Sequence, residues 1–299
     1  MVPPLPLELE LYILDLALPL PTPKRLRDRR LFLKTLSLIR RAWRPYAQKK
    51  LFAFPKVDNR VDRLQRWTVG VGMRRIDAVE VEYRVGDGRT LLQTLETVRQ
   101  ASAQSRTTEL LLRAPDYPST LRNLWPNLDK LTFEMMSSSS IDRRCLLSDL
   151  PPALTYLSLH RVALFWVPSC ALNHLTTLLL SKVDLYDQPD DFLAAFPSLQ
   201  SFAWVYTYAS IVPFLRGALP PKLQHLYLMY APDGLTQELE KLETPLASLS
   251  VVLTHWVKAE VLEPWCAANG VRFRMSKEEK VPKVGEPERI DIEEWARSL

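Results

Sequence analysis

Leu150-Pro151-Pro152-Ala153-Leu154-Thr155-Tyr156-Leu157-Ser158-Leu159 returns 69 residues later as Leu219-Pro220-Pro221-Lys222-Leu223-Gln224-His225-Leu226-Tyr227-Leu228. Both copies end in the frame apolar-x-x-apolar-x-apolar, whose last three places alternate as a β-strand does when one face is buried. The same frame recurs as Ile76/Val79/Val81, Thr107/Leu110/Leu112, Leu128/Leu131/Phe133, Leu154/Leu157/Leu159, Leu175/Leu178/Leu180, Leu199/Phe202/Trp204, Leu223/Leu226/Leu228 and Leu246/Leu249/Val251. Proline stands two places before the first apolar residue at Pro126, Pro152, Pro197 and Pro221. There it ends the preceding helix or turn and sets an extended entry into the strand.

Successive first positions differ by 31, 21, 26, 21, 24, 24 and 23 residues, and six of these seven intervals fall in the roughly 20–29 residues of leucine-rich repeats. The Asn or Cys usual at the ninth place of such repeats is replaced by Pro115, Met136, Val162, Val183, Thr207 and Ala231. With no side-chain ladder to satisfy the backbone at the turn, irregular connections are expected. Leu91 to Ala101, Asp190 to Ala195 and Ile211 to Leu215 carry the periodicity of short convex helices. Val271 to Met275 reads as a closing strand, and Ile290 to Leu299 as a terminal helix anchored by Trp295. The expected fold class is therefore α/β: a helical module over residues 1–55, an irregular solenoid of about eight repeats over 56–276, and a charged tail over 277–299. The solenoid would carry a parallel sheet on its concave face and helices and loops on its convex face.

Composition narrows the function classes. The 299 residues are 47% hydrophobic and 24% charged, as in ordinary globular chains. No window offers the roughly 18–20 apolar residues of a membrane span, since Leu5 to Leu20 is interrupted by Glu8, Glu10 and Asp15. Those acids also argue against a secretory signal. Cys145, Cys170 and Cys266 are odd in number and far apart, which points to a reducing compartment, cytoplasmic or nuclear, rather than to disulfides or a metal knuckle. Eight glycines against 24 prolines disfavour glycine-rich phosphate loops, and Gly70-Val71-Gly72 and Gly86-Asp87-Gly88 lack the rest of such a motif. His160, His174, His225 and His255 have no partners at ligand spacing, no nucleophile elbow is present, and Ser137–Ser140 reads as a polar loop. A non-catalytic protein without metal or cofactor is expected.

Charge is uneven. Residues 1–55 hold eleven Lys and Arg against four Asp and Glu, a net +7, while the remaining 244 residues sum to −2. A basic module on a neutral body implies an acidic partner. Pro6 in the first turn, followed by Glu8, starts a helix. Its apolar residues form two adjacent stripes, Leu9, Ile13, Leu16, Ala17 and Leu7, Leu11, Leu14, Leu18. A second helix is expected from about Leu31 to Trp43, with Phe32, Leu36, Ile39 and Trp43 on one face, and a third from Pro45 through Leu51. A helix apolar around most of its circumference needs cover on more than one side.

Leu5-Pro6-Leu7-Glu8-Leu9, Ile13-Leu14, Leu36-Ser37-Leu38-Ile39-Arg40-Arg41-Ala42-Trp43 and Leu51-Phe52 together resemble an F-box, over residues 4–54, followed by leucine-rich repeats as in fungal F-box proteins. Two departures are a longer, basic segment Pro19–Arg30 and Ile39-Arg40 in place of Val-Cys. The resemblance implies a substrate receptor that docks on an acidic Skp-type adaptor, and through it on a cullin, in a ubiquitin ligase. It places Leu5, Pro6, Leu9, Ile13, Leu14, Leu36, Ile39 and Trp43 at the adaptor contact or in the module's own core. On the concave face, Tyr156, His160, Tyr227 and Met229 would anchor a protein target, since aromatic and flexible apolar groups dominate interface energetics. Two other classes stay open: an interaction scaffold whose helices cap the array or bind an adaptor outside a ligase, and nucleic-acid binding by the Lys24–Lys50 region. The latter is disfavoured by the scarcity of aromatic residues between the charges.

Overall fold

The computed structural model describes residues 5–19, 25–58, 76, 78–83, 90–101, 107–136, 144–165, 172–186, 192–205, 219–229, 235–240, 246–253, 259–277, 292–297 and 299. It is an α/β protein built on a ten-stranded, wholly parallel sheet whose strands lie in chain order. The strands are β1 (Lys56–Asp58), β2 (Ala78–Glu82), β3 (Glu109–Ala114), β4 (Lys130–Met135), β6 (Tyr156–His160), β8 (Thr177–Ser181), β10 (Ser201–Val205), β11 (His225–Leu228), β12 (Ser248–Leu253) and β13 (Arg272–Lys277). Pairing is in the register of the repeated frame. Leu157 lies between Leu131 and Leu178, and Phe202 between Leu178 and Leu226. One set of alternate side chains therefore stacks into a continuous core with Leu110, Leu131, Leu157, Leu178, Phe202, Leu226 and Leu249 along its middle.

Backbone groups between strands are satisfied by a main-chain ladder. The carbonyls of Thr108, Asp129, Thr155, Thr176, Gln200 and Gln224 each accept two consecutive N–H groups from the next strand's entry, at 2.8–3.2 Å. This ladder does what a ladder of amide side chains would otherwise do. The prolines take a more specific place than the sequence implied. Pro126, Pro152, Pro197 and Pro221 each follow the first residue of a four-residue turn, which closes when Leu128, Leu154, Leu199 or Leu223 donates to the residue three before it. Proline's fixed φ suits that position.

The connections are also more regular than expected in mid-array. β7 (Ala163–Phe165) and β9 (Asp184–Tyr186) follow sharp corners at Arg161 (φ 59°) and Lys182 (φ 55°), and with β5 (Arg144–Leu146) form a second parallel sheet. Val162 and Val183, at the ninth place, are buried. Their bulk fills the corner, while the N–H groups of Arg161 and Lys182 donate to Ser181 and Val205. Short helices between strands occur at Leu121–Leu124, Leu235–Leu239 and Ala259–Ala268, where the sequence had not placed them. Leu91–Ala101 is helical, opened by a capping box in which Thr90 N–H donates to Gln93 Oε1 and Gln93 N–H to Thr90 Oγ1. Phe192–Ala195 is a single tight 3₁₀ turn, and Ile211 to Leu215 lies outside the described residues, as do Cys170, His255, Ser137–Ser140 and both glycine pairs.

The N-terminal helices are α1 (Leu7–Ala17), α2 (Leu26–Ile39) and α3 (Arg44–Ala53), with a 3₁₀ turn at Arg41–Trp43 before α3. The second helix starts five residues earlier than the sequence indicated, and the basic run is part of it. Leu26 and Leu33, two turns apart, are both buried and carry the apolar stripe back through those charges. The helix stops at Arg40, whose backbone is extended, so Ile39 lies off the buried stripe.

Candidate docking surfaces

In the helical module, Leu18, Leu33, Leu36 and Ala47 are buried, with Leu14, Phe32, Trp43, Tyr46 and Leu51 packed around them. Polar bonds fix α1 to the other helices. Glu10 accepts from Arg40 and, at 3.0 Å, from Trp43 Nε1. Asp15 accepts from Tyr46 at 2.7 Å and pairs with Lys50 at 2.7 Å. Both carboxyls are held below their ordinary range, Glu10 by the bond from Arg40 and then that from Trp43, Asp15 by the bonds from Lys50 and Tyr46.

Of α1's two apolar stripes, the one containing Leu14 and Leu18 faces this small core. Much of the other is open: Leu9, Ile13 and Leu16 are 49%, 51% and 70% exposed. Leu5 and Pro6 are exposed beside them, as are Leu31, Leu38, Ile39 and Phe52 on the other helices. The residues singled out from the sequence thus divide. Leu36 is buried and Leu14 and Trp43 half-buried, while Leu5, Pro6, Leu9, Ile13 and Ile39 point outward. Arg27, Lys34, Arg41, Arg44 and Lys49 are exposed on the same three-helix unit, whereas Arg40 and Lys50 are engaged with acids of α1.

The sheet's second face, opposite the core, is arranged differently. At its first strands Glu80 is 1% exposed and meets three cations: Arg30 of α2, Arg113 at 3.2 Å and Lys56 at 3.6 Å. Arg113 also pairs with Glu134 at 3.0 Å, and Lys56 with Glu82. This network joins α2 to the start of the array. Alternation along β2 and β4 puts Glu80, Glu82 and Glu134 on the face away from the core, but alternation by itself does not say that Glu80 is buried.

Further along, Tyr156, Leu179, Ala203, Val205, Tyr227 and Met229 form a cluster separate from the main core. It is closed by a helix at Ile292–Arg297. Ile292 and Trp295 are buried in the cluster, and the Trp295 ring lies 5.2 Å from that of Tyr227. Arg297 pairs with Glu109 and sits 5.7 Å over the Tyr156 ring. Tyr156, Tyr227 and Met229 are therefore brought together, but under a segment of their own chain. His160 is half-buried at the strand's end, its Nε2 2.9 Å from Ser158 Oγ. His225 Nδ1 is 2.8 Å from Ser248 Oγ, and burial, then Arg272, hold its pKa below the usual value.

Cys145 and Cys266 are buried as free thiols, and burial pushes Cys266 up to about 11. Among the described residues no group of three His, Cys, Asp or Glu is placed to hold a metal ion, and no helix is long and apolar enough to cross a membrane. No protein-family model, curated protein or solved structure matches the chain.

Proposed function

We propose that the chain is an F-box protein with leucine-rich repeats, the substrate-recognition subunit of a Skp–cullin–F-box ubiquitin ligase. The helical module docks the acidic Skp-type adaptor, and the repeat array carries a protein target. Its contribution is proximity rather than side-chain chemistry: it raises the local concentration of a ubiquitin carrier near a target lysine. The observation that supports this most is the open stripe of Leu9, Ile13 and Leu16, with Leu38 and Ile39, on a module whose own core is already filled by Leu14, Leu18, Leu33 and Leu36. An exposed apolar patch of this extent marks an interaction surface, and the exposed basic residues of the module suit an acidic partner.

The test is co-elution of the full-length protein with a recombinant Skp-type adaptor, comparing wild type with Ile13→Asp and Ile39→Asp. Both substitutions are at exposed positions, so the fold is kept. Binding by the wild type and its loss in both variants is the expected result. A folded wild type that fails to bind at tens of micromolar overturns the reading, since that is far weaker than a stable interface requires.

A second reading, in which the helices only cap the array, draws support from the Arg30–Glu80 and Lys56–Glu80 pairs and from β1, which continues the sheet directly from α3. On that reading Ile13→Asp changes nothing in any assay, whereas Glu80→Gln loosens the helices from the sheet.

A further inference from the structure

The two ends of the sheet's second face hold their charges differently. At the first strands the acids are matched: Glu80 meets Arg30, Lys56 and Arg113, Glu82 meets Lys56, Glu134 meets Arg113, and Glu109 meets Arg297. At the other end the balance reverses. The cluster under the terminal helix reaches only as far as β11, and β12 and β13 extend the face beyond it, β13 as the last strand of the sheet. Register sets Arg272 beside Ser248 and His225, and Arg274 beside Ser250 and Tyr227. Both arginines are exposed and neither has an ion pair among the described residues. Strands β10 to β13 contain no acid at all.

The surface beside the two arginines is polar. Ser248 Oγ lies 2.8 Å from His225 Nδ1, and burial, then the charge of Arg272, hold the His225 pKa low, which places that guanidinium near the pair. Ser250 is only 6% exposed, yet its hydroxyl has no hydrogen-bond partner among the described residues. A hydroxyl so little exposed ordinarily has one. From this we infer that β12 and β13 form, on the second face, a binding site for an extended acidic segment of a protein target, with carboxylates two places apart. Residues two places apart on a strand lie about 7 Å from each other, and alternate residues of an extended ligand have the same step. One carboxylate therefore meets each guanidinium fork, and Ser250 donates to the one held by Arg274. The inference rests on the reading of the array as the part that carries a protein target, and it names the chemistry of the segment carried. A purely protective role for basic residues on an edge strand predicts no such ligand.

The experiment titrates fluorescein-labelled peptides with the full-length protein by anisotropy; no adaptor is present. The probe is Ser-Thr-Asp-Thr-Asp-Thr-Ser. Three further peptides have Asn for both Asp, the two Asp adjacent, or one phosphoserine in place of the two Asp. Wild type should bind the probe at least about fivefold more tightly than any of these. Arg272→Glu and Arg274→Glu, both at exposed positions, should each weaken binding about tenfold, and Ser250→Ala about threefold. Arg99→Glu, an equal change of net charge on the helix Leu91–Ala101, should leave it unchanged. Equal binding of the probe and any other peptide, equal loss in Arg99→Glu, or no binding at 100 micromolar protein overturns the inference. Co-elution with the adaptor does not use these strands, so a failure here leaves the adaptor contact standing, and the reverse holds as well.

Discussion

The helical module and the sheet each have two apolar sides, and the protein treats them in opposite ways. On the sheet, one side makes the core and the other is covered by residues 292–297 of the same chain. On α1, one stripe makes a small core and the other has no cover among the described residues. Covering an apolar surface of either size is worth several kcal/mol at about 25 cal/mol per Å². The stripe left open beside exposed arginines and lysines is the surface that the proposed adaptor would cover, whereas the sheet face is already covered by the chain itself. The difference separates the surface that the proposed docking requires from one that the fold already uses.

Substitutions that probe the two regions should separate cleanly. The largest loss is expected at the sheet's core side: Phe202→Ala removes a fully buried ring stacked edge-on to Trp204 and should cost about 3–5 kcal/mol in urea unfolding. Glu80→Gln comes next. It leaves Arg30, Lys56 and Arg113 converging on a neutral amide, and removing one member of so buried a pair costs about 3 kcal/mol, read as a lower urea midpoint. Ile13→Asp sits at the other extreme. At a half-exposed position it should move unfolding by less than about 0.5 kcal/mol while reducing adaptor binding at least a hundredfold, a contrast that no core residue can show.

Acid should distinguish the regions in a gentler way. Glu10 and Asp15 titrate below their unfolded values of about 4.5 and 3.8. Their contribution is therefore complete above pH 4.5 and is lost as pH falls through the lower folded values. α1 should loosen from α3 below about pH 4, seen as a tryptophan emission change that disappears in Trp43→Phe. Burial of His225 works in the same sense at higher pH. Its folded pKa lies below the ordinary 6.5, so a modest stability present above that value declines as pH falls through the folded one.

Much of the sheet was legible because a strand's two-residue alternation, repeated at 21–26 residues in six of its seven intervals, leaves little choice of face or register. Two kinds of element escaped. β1 has a single apolar residue, Val57, and β5, β7 and β9 are three residues each, too short for any period to be counted. The start of α2 was hidden because its first turn holds four charged residues, Arg27, Asp28, Arg29 and Arg30, beside a single buried apolar residue, Leu26. At the sites, the sequence picked out both apolar stripes of α1, and three of the four residues it named on the second face, Tyr156, Tyr227 and Met229, lie in one cluster, with His160 outside it. It did not show that Trp295 would lie on Tyr227, because that contact depends on complementarity between segments 68 residues apart rather than on any local pattern. The Glu80 network was missed for a related reason: alternation assigns a side, not its burial.

The division of labour is tested most directly by amide hydrogen exchange on the full-length protein with and without a Skp-type adaptor. The account predicts new protection confined to residues 5–18 and 31–43, with residues 292–297 and strands β6 to β11 exchanging as they do in the free protein. Protection that appears on those strands instead, or nowhere, would contradict it.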